Sequence, residues 1–178
     1  MSETPEDPAA GLPTSPDALF QRLQGLGISV STVSHAPLYT VEDSQKLRGE
    51  IDGGHIKNLV VKDKKGNVFL VVAEEEAQID LKTIHTRVGG SGRVSFVKPD
   101  LLMALLGVRP GSVSPFGLVN DGEARVSCIL DESLMRHDIV NCHPLVNTMT
   151  TTIARDDLLT FIRDTGHEPQ IVPVSGDI

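Results

Sequence analysis

A chain of 178 residues, 39% of them hydrophobic, suits one globular domain whose core stands without disulfide or metal staples. A formal net charge of -8 excludes a general nucleic-acid binder, which works by neutralising phosphates, and aromatics at 3% with no Trp exclude a base-stacking sheet. Two cysteines, Cys128 and Cys142, are too few for a disulfide framework, and nothing resembles a signal peptide or membrane span, so a reducing, cytoplasmic setting without membrane contact is expected.

Residues 1–13, rich in Pro, Glu and Ala, read as a disordered tail, which leaves 14–178 as the single domain. Ser15-Pro16-Asp17 starts a helix, with Ser15 capping and Pro16 in the first turn; Leu19, Phe20, Leu23 and Leu26 follow at helical spacing, and Gly25 and Gly27 stop it. Ile28 to Val33 alternates like a half-buried strand. Thr40-Val41-Glu42-Asp43 resembles a capping box with Asp in place of Glu and opens a short helix toward Leu47. The strongest local signal is a hairpin, Ile56 to Val61 and Val68 to Val72, joined by turn residues Asp63 to Asn67.

Asp80 starts another helix, Val94 to Val97 reads as a strand, and Pro99 to Leu106 as an apolar helix stopped by Gly107. Gly107 to Asn120 is heavily punctuated by Gly and Pro. Val126 to Leu130 and Thr148 to Ile153 read as strands, Arg155 to Thr165 as an amphipathic helix ended by Gly166, and Ile171 to Val174 as a last strand. With no repeat and no long linker, these elements predict an α+β single domain: a curved, largely antiparallel mixed sheet, barrel-like, with surrounding short helices.

Between Lys46 and Lys65 stand six basic residues, Lys46, Arg48, Lys57, Lys62, Lys64 and Lys65, against Glu50, Asp52 and Asp63. A local excess of this kind suits phosphate, although charge alone reads first as a solvated lysine-rich hairpin. Familiar catalytic signatures are missing: there is no Gly-x-Ser-x-Gly elbow, phosphate loop or dinucleotide fingerprint. His35, His55, His85, His137, His143 and His167 form no helical zinc pair. Cys142 and His143, as neighbours in extended chain, point to opposite faces and do not make a nucleophile-base pair. Neither a metal nor a cofactor is expected.

Three segments remain. Lys57 opens an apolar strand in His55-Ile56-Lys57-Asn58-Leu59-Val60, an unusual place for an ammonium unless it snorkels to solvent. Gly111-Ser112-Val113-Ser114-Pro115-Phe116-Gly117 is either an ordinary tight connection or a loop fixed so that its backbone meets a ligand. His143-Pro144-Leu145-Val146-Asn147-Thr148 places an imidazole and an amide just before a β-branched strand, either capping a turn or touching substrate.

Taken together, in this order, the three segments resemble the YbaK and prolyl-tRNA synthetase-associated editing-domain family, over roughly Ser15 to Val174. Ser112-Val113 and the closing Gly166-His167-x-Pro169 are similar to its freestanding alanyl-tRNA(Pro) deacylase branch, whereas Met149 stands where relatives often have a smaller residue. The resemblance implies hydrolysis of a mischarged aminoacyl ester, without metal or covalent intermediate, assisted by the 2′-hydroxyl of the tRNA itself. It implies Lys57, Gly111 and His143 as catalytic residues. Asn58, Ser112, Val113, Ser114, Pro115, Phe116, Pro144, Asn147 and Thr148 become the substrate-binding set. The implied partner is the acceptor end of tRNA(Pro) carrying a small amino acid, with prolyl-tRNA synthetase as a second partner, no DNA, and a monomer or weak dimer. The rival readings are a deacylase for Cys-tRNA(Pro) or another small amino acid, and a noncatalytic tRNA- or synthetase-binding module.

Overall fold

The structure, a computed structural model, describes residues 7–37 and 51–176, so the helix expected over Thr40 to Leu47 lies outside the described residues. Helix α1 spans Pro16–Gly25 as its signals predict: the Ser15 hydroxyl accepts the Ala18 amide at 3.1 Å, and Leu19 and Leu23 are buried. Strand β1 (Ser31–Ser34) begins later than the alternation suggested, and all four of its residues are exposed. It is the end strand of the ladder, paired on one side only.

The hairpin forms as read, β2 (Gly54–Lys62) against β3 (Val68–Glu74), in antiparallel register from Lys62↔Val68 to Ile56↔Glu74. Asp63 holds its turn. The carboxylate accepts the backbone amides of Ser91 (2.7 Å), Lys65 (2.9 Å) and Asn67 (2.9 Å) and the Asn67 side chain (2.8 Å). These bonds, the one from Ser91 foremost, hold the carboxyl down at about 2. The acid of the lysine-rich turn is thus occupied internally, while Lys64 and Lys65 stay exposed.

Helix α2 (Ile84–Val88) starts one turn after Asp80, whose side chain instead accepts the Lys82 amide in the turn before it. Then come β4 (Ser95–Phe96), α3 (Pro99–Leu106), a 3-10 turn (Pro115–Asn120), β5 (Val126–Asp131), a second 3-10 turn (Glu132–Arg136), β6 (Ile139–Cys142), β7 (Met149–Ala154), α4 (Arg155–Asp164) and β8 (Gln170–Val172). Gly107 ends α3 at φ 63, and a Cβ there would meet Asn120 Nδ2 at 2.3 Å, so both conformation and space require glycine.

The strands form one mixed sheet, ordered β1-β7-β6-β2-β3-β5-β8, with β4 pairing β2. Pairs β2–β6, β3–β5 and β5–β8 are parallel and the others antiparallel. Strand β6 carried no sequence signal, being four residues long and interrupted by Asn141. Alternation splits the core across the sheet. Val60, Leu70 and Val72 face a main cluster with α1, α3 and α4, while Val61, Phe69 and Val71 face a smaller one with Ile84 and Val88 of α2.

Residues 7–13, expected as part of the tail, take up definite structure instead. Ala10 N donates to Asp7 O at 2.9 Å, Leu12 packs on the main cluster, and Arg109 donates to the carbonyls of Pro8 and Ala10. Composition registers the polarity of such a segment but not an arginine supplied by a distant loop.

Candidate functional site

The glycine loop is shaped by its own backbone and tied down at one serine. Gly111 sits exposed at φ 87, a left-handed conformation that a side chain would strain, and a Cβ there would stand 3.7 Å from Asn147 Nδ2. Ser112 N donates to Arg109 O at 3.0 Å. Buried Ser114 donates its hydroxyl to His143 O at 2.6 Å and accepts the Phe116 amide at 3.2 Å, capping the 3-10 turn. That one side chain fastens the glycine loop to the His-Pro segment.

Two residues of the expected binding set belong to the core instead. Phe116 is 0% exposed and packs edge-on against Phe161, with ring centroids 5.4 Å apart, and Pro115 is buried beside it. Val113 also packs on the main cluster. The Pro115 and Phe116 side chains hold the loop in shape, whereas Val113 stays half-buried.

The His-Pro segment carries the clearest backbone strain. Leu145 has φ 71, an outlier for a branched residue that costs about 1–2 kcal/mol, and its side chain is buried in the main cluster. Leu145 N closes the turn on His143 O at 2.9 Å. Strain of this kind, held by packing, is a site signal that sequence reasoning missed, because no residue type announces it.

His143 is half-buried. Its Nδ1 lies 2.9 Å from Met149 O, an acceptor only, so Nδ1 carries the proton. Burial lowers its pKa first, the neighbouring His35 lowers it further, and the Met149 carbonyl works the other way. The ring is therefore neutral at pH 7, with Nε2 a hydrogen-bond acceptor. His35, 6.3 Å away ring to ring, is held between Ala36 O and Thr150 Oγ1, each at 2.8 Å.

A pH dependence follows. The folded pKa lies below the ordinary 6.5, so the neutral form persists as pH falls through 6.5 and is lost only at the lower, folded value. Activity that needs neutral His143 should stay flat from pH 8 to below about 6.5 and then drop. Stability from this group is likewise complete above the unfolded pKa and declines below it. A rate profile that halves at or above pH 6.5 would contradict this assignment.

A cleft of about 830 Å³ is lined by Ser112, Val146, Asn147 and Thr148 of the two segments, together with Arg109, Pro110, Pro37, Asp7, Pro8 and Ala10. Pro144 is buried beneath, and Asn147 and Thr148 are half-buried.

Lys57 and Asn58 face opposite sides of β2. Asn58 shares the face of Ile56 and Val60, both packed on the cluster that holds Val113 and Leu145, and its buried Oδ1 has no hydrogen-bond partner among the described residues. Lys57, half-buried, donates from Nζ to Ala77 O, and among the described residues no hydrogen bond joins it to the glycine loop or to His143. In sequence, Lys57 and His143 each follow by two positions the last parallel β2–β6 pair, His55↔Asn141.

The thiols take no part. Burial pushes both Cys128 and Cys142 up to about 12, far from a thiolate at neutral pH. Among the described residues, no group of three His, Cys, Asp or Glu is placed to hold a metal ion, and no helix is long and apolar enough to cross a membrane.

The family model of the aminoacyl-tRNA editing domain matches residues 35–161, a span that holds Lys57, the glycine loop and His143. The chain belongs to this editing-domain family. Prolyl-tRNA editing protein ProX of Acetoanaerobium sticklandii is 35% identical over 151 residues, covering 84% of this chain and 92% of that protein. Prolyl-tRNA synthetase associated domain-containing protein 1 of Bos taurus is 35% identical over 159 residues, 87% of this chain and 92% of that one. A crystal structure of a candidate trans-editing enzyme for prolyl tRNA synthetase superposes with TM-score 0.67 at 20% identity, covering 99% of this editing domain and 100% of that chain. The expected fold class and family both stand. The resemblance that revealed them rests on segments with little individual specificity, which become diagnostic in combination.

Proposed function

We propose that this editing domain is a deacylase that hydrolyses the ester of a small amino acid wrongly attached to tRNA(Pro), with alanine as its substrate. The observation that carries the reading is the cleft itself: the glycine loop and the His-Pro segment, joined through Ser114 and His143, line one pocket with Ser112, Asn147 and Thr148. The names of the relatives supply the prolyl-tRNA context.

An aminoacyl ester is already activated, so positioned water and stabilisation of the developing oxyanion are sufficient. Water adds to the carbonyl carbon, the bond to the ribose oxygen breaks, and the proton passes to that oxygen, with the vicinal 2′-hydroxyl of the tRNA assisting. Backbone groups around Gly111 meet the carbonyl and the attacking water. The buried Oδ1 of Asn58, which has no hydrogen-bond partner among the described residues, accepts from the substrate α-ammonium. His143, through Nε2, orients the aminoacyl group. Lys57 is the compact cation for the 3′-terminal ribose-phosphate. Binding of the acceptor end, by a cytoplasmic monomer or weak dimer with the synthetase as second partner, completes the reading.

Size selects the substrate: a pocket closed to the proline ring admits alanine, the logic of a second sieve. Hydrolysis of Ala-, Cys- and Ser-tRNA(Pro) should be compared at equal subsaturating concentration. Alanine is expected to be released fastest, by about tenfold or more. A preference for Cys-tRNA(Pro) overturns the choice of alanine, and tight binding without turnover of any of the three overturns the enzyme.

A further inference from the structure

We propose that Asp7–Leu12 forms a fixed wall of the substrate cleft, in contact with the aminoacyl-adenosine end of the tRNA, and that Arg109 is the positioning residue that holds it there. The inference rests on the deacylase reading of the same cleft and adds a binding element to it.

Arg109 belongs to the glycine loop through its backbone, whose carbonyl accepts the Ser112 amide at 3.0 Å. Its guanidinium leaves the loop in the opposite direction, donating from Nη1 to Pro8 O at 2.7 Å and from Nη2 to Ala10 O. A planar fork suits two carbonyls two residues apart, which a lysine does not match. The segment is braced on its own account as well. Asp7 Oδ1 accepts the Ala9 amide at 3.0 Å, and Asp7 O accepts the Ala10 amide at 2.9 Å. Leu12 packs on the main cluster, and Thr14 Oγ1 donates to Asn120 Oδ1 at 2.6 Å. The segment is therefore held in its middle by Arg109 and at its C-terminal side by Leu12 and Thr14, and Asp7, Pro8 and Ala10 line the same cleft as Ser112, Asn147 and Thr148.

It precedes the span that matches the editing-domain model. Pro8 and Ala10 present apolar surface and backbone, and Asp7 adds a negative charge. Such a wall repels phosphate and suits the aminoacyl-adenosine, whose base is neutral and whose amine is cationic. Contacts of this kind are made equally to substrate and transition state, so they govern KM and leave kcat alone.

The test compares the wild type, Arg109→Ala, a chain lacking residues 1–10 that keeps Leu12 and Thr14, and the combination, by steady-state hydrolysis of Ala-tRNA(Pro). Each single change should raise KM about fivefold or more with kcat within about twofold, and the combination should match either alone, because both act through one element. An unchanged or lowered KM in either variant overturns the proposal, as does a combination that multiplies the two effects. The truncated chain leaves Arg109 in place and so separates loss of the wall from damage to the loop. A second readout does not need turnover. Amide exchange at Ala9, Ala10 and Leu12 should slow when the nonhydrolysable 3′-alanylamido-3′-deoxyadenosine is added to the wild type, and not in Arg109→Ala. Absence of slowing in the wild type overturns the wall. A wild type that hydrolyses none of the three mischarged tRNAs overturns the deacylase reading, and the exchange experiment then judges the wall alone.

Discussion

On the proposed deacylase reading, Lys57→Ala is expected to lower kcat/KM for mischarged tRNA by roughly 10- to 100-fold and to leave the fold intact. The side chain is half-buried and hydrogen-bonded to the Ala77 carbonyl, which keeps its ammonium at one place along β2. A charge-assisted hydrogen bond to substrate contributes about 1.5–3 kcal/mol, and each 1.4 kcal/mol is tenfold, which sets the range. Lys57→Arg should recover little, because a planar guanidinium replaces a compact point charge in a half-buried setting. The measurement is single-turnover deacylation at subsaturating tRNA, with thermal unfolding as the control for folding. Wild-type rates for Lys57→Ala would remove Lys57 from the site and, with it, the ribose-phosphate contact.

The largest effect on stability is expected at Asp121. Its Oδ2 lies 2.8 Å from His167 Nε2, both side chains are 2% exposed, and the carboxylate also accepts the amides of Arg125 at 3.0 Å and Val126 at 2.8 Å. Thr165 Oγ1 holds the other ring nitrogen at 2.8 Å. This network joins the end of α4 to the loop that leads into β5. Asp121→Ala strands a buried imidazole, the buried Val126 amide and the partly buried Arg125 amide at once, so about 3–5 kcal/mol is lost. For a domain of this size the melting temperature falls by roughly 6–20 °C. His167→Ala removes the partner and leaves the two amide bonds, so it costs less, and the double variant costs less than the sum of the two. Thermal and urea unfolding of the three variants check this. A drop below about 2 °C for Asp121→Ala would show that the network contributes little. The same geometry accounts for Gly166-His167-x-Pro169, which in the sequence was only a point of resemblance: its histidine fastens the structure and lies outside the cleft.

Much of the local structure was legible because its causes are local. Ser15 and Pro16 start α1, Pro99 and Gly107 bracket α3, and Asp63 with Gly66 turns the hairpin. The site was legible only as three separate segments, and their membership in one family came from resemblance in combination rather than from any one of them. Strand β6 was not legible, since four residues around an asparagine carry no period, and they become a strand only when β2 and β7 bracket them. Nor was the exposure of β1, which depends on its being an end strand.

The residue types, their order and their spacing by themselves determined the caps, the turns, the hairpin and the family, because these are written within a few residues or within recurring motifs. Tertiary structure alone decided which of those residues share a cleft. Ser114 meets His143 across a separation no local rule spans, Phe116 is withdrawn into the core, and the sheet turns Lys57 and Asn58 to opposite faces. It also decided that His143 is neutral and that Arg109 holds the backbone of Pro8 and Ala10. Burial and long-range hydrogen bonds are properties of the packed chain, set by segments distant in sequence, and the physical reason lies there.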